Sequence, residues 1–114
     1  MNDDLREIII NALSSLNIPI SYMKYDGTDD TYITFFEYMG QGASFSEDIE
    51  DCKEHYIQIN VFYRTEINDL QKQIMDLLTQ QDFTESYTKD LGFDDDTQRY
   101  WSVICVNYLE NLID

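Results

Sequence analysis

The sequence predicts an α+β domain of two layers, with two helices on one face of a mainly antiparallel sheet and the order α-β-β-β-α-β-β. Three observations carry this. First, two segments repeat apolar residues at the three-and-four spacing of a helix. One has Leu5, Ile8, Ile9, Ala12, Leu13 and Leu16; the other has Ile67, Leu70, Ile74, Leu77 and Leu78. Second, the segments between and after them are rich in β-branched and aromatic residues, which suit a pleated, half-buried surface. Third, each helix is apolar on one side only, so both pack on the same side of the sheet. The 114 residues make one domain, 1–114, with no internal repeat, low-complexity tract or linker.

Each element has its local reason. Asp4 followed by Glu7 reads as a capping box for the first helix. Asn17 to Pro19 ends that helix, because the residue before a proline avoids the helical region. "ISYMKY" is a short strand, "DGTDD" a turn on Asp26-Gly27, and "TYITFFEYM" a second strand. Residues 40–52 are charged and lack a period, which reads as a functional loop or an extended hairpin arm. In "HYIQINVFYR", Ile57, Ile59, Val61 and Tyr63 point one way, and Gln58, Asn60, Phe62 and Arg64 the other. Thr65 is the expected cap of a second helix from Glu66 to Leu78, with Glu66 and Asp69 in its first turn, where the helix dipole favours negative charge. "FTESYTK" and "RYWSVICVNYL" are the closing strands. The sheet face away from the helices is expected to carry Tyr32, Phe36, Tyr38, Phe62, Tyr100 and Tyr108, an aromatic surface that invites burial against another subunit.

Charge narrows the function. Twenty-three acidic residues face seven basic ones, for a formal charge of −16. Such a surface repels nucleic acid, whose binding depends on Lys and Arg neutralising phosphates. Anionic membranes are disfavoured for the same reason. What remains is a partner with a basic surface, a wall past which DNA slides without adhering, or a decoy that imitates DNA. With 14% aromatic residues, the chain is also too rich in rings for a disordered acidic segment. Cys52 and Cys105 are too few for a disulfide framework. The acidic start "MNDDLREIII" does not resemble a secretory signal, and no apolar run is long enough to cross a bilayer. A soluble protein made in the cytosol, with reduced thiols, is the expectation.

No cluster reads as a catalytic or metal site. Asp94, Asp95 and Asp96 lack the glycine and the distal glutamate of a calcium loop, and read as the tip of a hairpin. Cys52 and His55 have half of a zinc spacing, but His55 is the only histidine, and on one strand residues three apart face opposite sides. They read as the polar start of a strand. "GQGASF" lacks the lysine and the βαβ setting of a phosphate loop. Gly40, Gln41 and Gly42 instead give an arm conformational freedom, and Phe45 could order on a partner. Asp26, Asp29 and Asp30, and Glu47, Asp48, Glu50 and Asp51, read as solvated charge. No cofactor and no enzymatic activity are expected.

Nearly the whole chain resembles the small tail-terminator proteins of long-tailed bacteriophages, also called tail completion or head–tail joining proteins. The resemblance rests on "TYITFFEY" at Tyr32 to Tyr38, and on "HYIQINVFYRTEINDLQKQIMDLL", where a Y-x-Q-x-x-[VI] strand from Tyr56 to Tyr63 runs into a helix. It rests also on "DDTQRYWSVICVNYLE", with Asp96, Thr97 and Tyr100 introducing the last strand. Asp82 in "TQQDF" departs from the pattern, since relatives commonly carry a glycine before that aromatic. The resemblance implies a structural phage or prophage protein without enzymatic activity. Its members form a ring, usually a hexamer, that caps the tail tube and joins the tail to the DNA-filled head. Assembly would take place in the bacterial cytoplasm, and the product would sit at the head-proximal end of the virion tail. Partners would be further copies, the tail tube protein and the head completion or connector protein, with no membrane and no sequence-specific nucleic-acid contact. The subunit contacts would use the aromatic face and the 40–52 arm, and the acidic clusters would line the channel or surface. The alternative is an acidic DNA mimic that inhibits a nucleic-acid-binding protein.

Overall fold

A computed structural model describes residues 1–42, 52–66 and 69–111. Helix α1 spans Asp3–Leu13 and is followed by a single 3₁₀ turn, Ser14–Leu16. Strands β1 (Ile20–Tyr22), β2 (Tyr32–Gly42) and β3 (Cys52–Tyr63) come next, then helix α2 (Leu70–Thr79), β4 (Phe83–Asp94) and β5 (Arg99–Asn111). The five strands form one sheet in the order β1-β2-β3-β5-β4. Only β1 and β2 are parallel; the other neighbours are antiparallel. The α+β class and the element order are those the sequence predicts.

One apolar core explains the layering. Leu5, Ile9 and Leu13 of α1 and Leu70, Ile74 and Leu78 of α2 are buried against Ile33, Phe35, Ile57, Ile59, Val61, Ile104 and Val106 of the sheet. The helical residues recur at three to four and the strand residues at two, so each set lines one face. Cross-strand register joins them, with Phe35 opposite Ile59 and Ile59 opposite Ile104. Each such side chain contributes about 1.5–3 kcal/mol by burial.

Two local expectations, the helix caps, are corrected, and a third is narrowed. The cap of α1 is Asn2, whose Oδ1 accepts from the Leu5 backbone N–H at 2.7 Å. Asp4 therefore lies inside the first turn and does not open a capping box. At α2, Thr65 is not the cap, and Glu66 precedes the helix. The capping position is Asp69, whose left-handed backbone (φ 60°) breaks the helical path and makes no side-chain cap bond. Ile67 lies outside the described residues. The charged stretch 40–52 is in part a hairpin arm, since β2 and β3 stay paired out to Gly42 opposite Lys53.

Asp82 explains its own departure from glycine. Its φ of 69° lies in the left-handed region, which aspartate tolerates better than most side chains but glycine adopts freely. Asp82→Gly is expected to stabilise the fold by about 0.5–1 kcal/mol, the strain relieved less the extra freedom given to the unfolded chain. A higher urea midpoint at unchanged slope would show it.

Candidate functional site

The helices cover one face of the sheet, and among the described residues no element covers the other. Alternate residues of β2, β3 and β5 point there, and they sort into two aromatic rows with a polar strip between them. In the first row the rings of Tyr25, Tyr32, Phe62 and Trp101 stack in sequence, with centroids 4.3, 5.0 and 5.7 Å apart. Strand pairing sets this ladder, because Tyr32 lies opposite Phe62 and Phe62 opposite Trp101. Stacking at these separations adds about 0.5–1.5 kcal/mol per pair beyond area burial.

The polar strip fixes the ladder's end. Asn60 is buried, and its Oδ1 accepts from Gln58 Nε2 at 2.8 Å and from Trp101 Nε1 at 3.1 Å. Its Nδ2 donates to Thr34 Oγ1 at 3.3 Å. The indole is thereby held in one orientation. An open hollow of about 400 Å³ runs along the ladder and this strip. The second row comprises Phe36, Tyr38, Tyr56 and Tyr87, beside the buried thiol of Cys105. Phenols on this face resist ionisation: a hydrogen bond to Asp29 raises the pKa of Tyr25 above its ordinary value, burial raises Tyr32 and Tyr38, and the hydrogen bond with Cys105 raises Tyr87.

Acidic residues gather at the end of the sheet where the ladder stands. Arg99, itself buried, donates to the carbonyls of Asp29 (2.6 Å), Asp30 (3.1 Å) and Thr97 (2.7 Å), and lies over the Tyr32 ring. It thus ties the 26–30 loop to the β4–β5 turn. Asp94 accepts from the Thr97 N–H and Oγ–H, which closes that turn, so Asp94, Asp95 and Asp96 stand at a hairpin tip. Asp26 faces Lys24, and Asp30 pairs with Arg64.

The predicted contact residues divide. Tyr38 and Phe62 are on the open face, with Tyr32 and Phe36. Tyr100 and Tyr108 are not: Tyr108 packs on Phe83 and the core, and Tyr100 on Tyr63, both on the helix side. The cause is the phase of β5, in which Ser102, Ile104 and Val106 alternate toward the helices, and Tyr100 and Tyr108 share their phase. Trp101 takes the place given to Tyr100. Gly40, Gln41 and Gly42 are strand residues of the arm, paired with His55, Glu54 and Lys53. Phe45, Glu47, Asp48, Glu50 and Asp51 lie outside the described residues.

One cluster goes beyond the sequence reading. At the base of the arm His55 is buried, with Nδ1 2.6 Å from Glu37 Oε2 and Nε2 3.0 Å from Glu110 Oε1. The three residues come from β2, β3 and β5, so this clamp joins three adjacent strands. Among the described residues no group of three His, Cys, Asp or Glu side chains is arranged to hold a metal ion. No helix among them is long and apolar enough to cross a membrane. Searches against protein-family models and curated proteins find no match.

Proposed function

We propose that this is a structural phage or prophage tail protein that assembles into a ring, caps the tail tube and joins the tail to the head. The observation that carries the reading is the open face. On this face, which no described element covers, a half-buried four-ring ladder is locked by a buried asparagine, and Tyr38 and Tyr87 beside it stand exposed, which supports burial against a further subunit. A ring needs two different patches that meet head to tail, and the reading assigns these roles to the open face and to the β2–β3 arm. The sequence resemblance points to the same family, and a charge of −16 suits a channel that DNA traverses without sticking. The role is structural, and no cofactor enters it.

Native mass by light scattering, over a concentration series at low and moderate salt, tests the reading. A closed hexamer, or a monomer that becomes one on concentration, is the expected result. A strict monomer or dimer at every concentration would count against the ring. It would leave the DNA-mimic reading, which the same charge supports and which predicts salt-sensitive competition with DNA for a basic protein.

A further inference from the structure

The β4–β5 turn carries a second exposed apolar surface, on the helix side and separate from the open face. Phe93 and Tyr100 form the last cross-strand pair but one before the turn, with rings edge to face at 5.3 Å, and Tyr100 stacks on Tyr63 behind it. Phe93 is 51% exposed and Tyr100 46%. Immediately beyond them stand Asp94, Asp95 and Asp96. Asp94 is occupied by Thr97, but no described side chain pairs with the carboxylate of Asp95 or Asp96. The 26–30 loop, held alongside by Arg99, sets Asp29 and Asp30 at the same end, but Tyr25 and Arg64 already engage their carboxylates, which leaves Asp95 and Asp96 as the unpaired charge of the tip.

We infer that this hairpin tip is a docking finger for a different protein, one whose surface sets Lys or Arg around an apolar centre. The aromatic pair is the anchor and the aspartates are its charged rim, the arrangement of a hot spot with a polar border. Charge selects the occupant. A second copy would bring the same aspartates to the contact, and like charges opposed at an interface repel. An anionic membrane is turned away by the same carboxylates. A basic surface gains from both parts of the tip, with encounter steered by charge and residence set by the rings. The inference does not depend on ring formation, which the mass measurement reads separately.

The test uses the full chain, with backbone amide signals followed by NMR. The probes are a short peptide alternating Lys and Leu, the same peptide with Ser for Leu, and one with Glu for Lys. The Lys/Leu peptide is expected to move the signals of 91–100, to weaken steeply with salt, and to outbind both controls. Phe93→Ser with Tyr100→Ser should weaken it about tenfold or more, as loss of an anchor does. Asp95→Lys with Asp96→Lys, which leaves the turn bonds of Asp94 intact, should do the same. Equal binding to these variants, or shifts confined to the open face, would overturn the inference. So would self-association that moves the 91–100 signals on concentration, since the occupant would then be a second copy.

Discussion

Replacing His55 with alanine is expected to destabilise the fold by about 3 kcal/mol, since breaking a buried ion pair by removing one partner costs on the order of 3–5 kcal/mol. The lower end applies because Glu110 is 36% exposed and its contact is screened, whereas Glu37 is only 13% exposed. The imidazole lies between two carboxyl groups, so both of its ring nitrogens are engaged at once. Without that ring, Glu37 keeps a buried carboxylate with no cation beside it. A companion variant separates charge from packing. Making Glu37, His55 and Glu110 all Leu should recover most of the loss, because an apolar replacement of a buried ionic cluster is often neutral or better. Urea unfolding of the three proteins measures both. A loss below about 1 kcal/mol for the single variant would mean that the clamp contributes little more than an exposed pair does.

Trp101→Ala is the second large expected effect, and under the proposed ring it falls on assembly more than on the fold. Trp101 ends the ring ladder on the face that no helix covers, and its N–H occupies one of the two bonds accepted by Asn60 Oδ1. Central aromatic anchors of interfaces lose about 2 kcal/mol or more on truncation, roughly thirtyfold in a dissociation constant. Native mass should therefore fall toward the monomer at concentrations where the parent protein is assembled, while circular dichroism stays near that of the parent. Trp101→Phe, which keeps the stack and gives up the hydrogen bond, should land between them. An assembled mass unchanged by Trp101→Ala would remove the open face from the interface.

The sequence made the layers legible because helical and strand periods differ and each was clean in α1, α2 and β3. It did not reveal the face taken by β5. From Ser102 to Val106 every residue is buried, so alternation of apolar and polar carries no phase there; register with β3 sets it instead. The start of α2 was hidden for a related reason, since a left-handed Asp69 is a backbone fact with no periodic trace. The ladder was half visible: Tyr32 and Phe62 were expected on the open face, but Tyr25 and Trp101 join them only through the loop and through strand pairing. The clamp was invisible. His55 was weighed against Cys52, three residues away, whereas its partners come from positions 37 and 110 and meet it only once β2, β3 and β5 are aligned. The hairpin tip was legible, because glycine and consecutive aspartates between two strands have few other uses.

The strand order also sets a timetable for the newborn chain. β2 with β3, and β4 with β5, are neighbours in sequence and can zip as they emerge, but the middle seam joins β3 to β5, with Ile57 opposite Val106. At roughly 5–20 residues per second of synthesis, β3 waits several seconds for its partner, its Ile57, Ile59 and Val61 row only half covered. During that interval the ribosome-bound half-protein presents an apolar strand with a free edge, the form most prone to stick to a neighbour. Slower synthesis of the stretch between β3 and β5, which leaves the finished fold unchanged, would then still lower the yield of soluble protein from cells, through time spent half made.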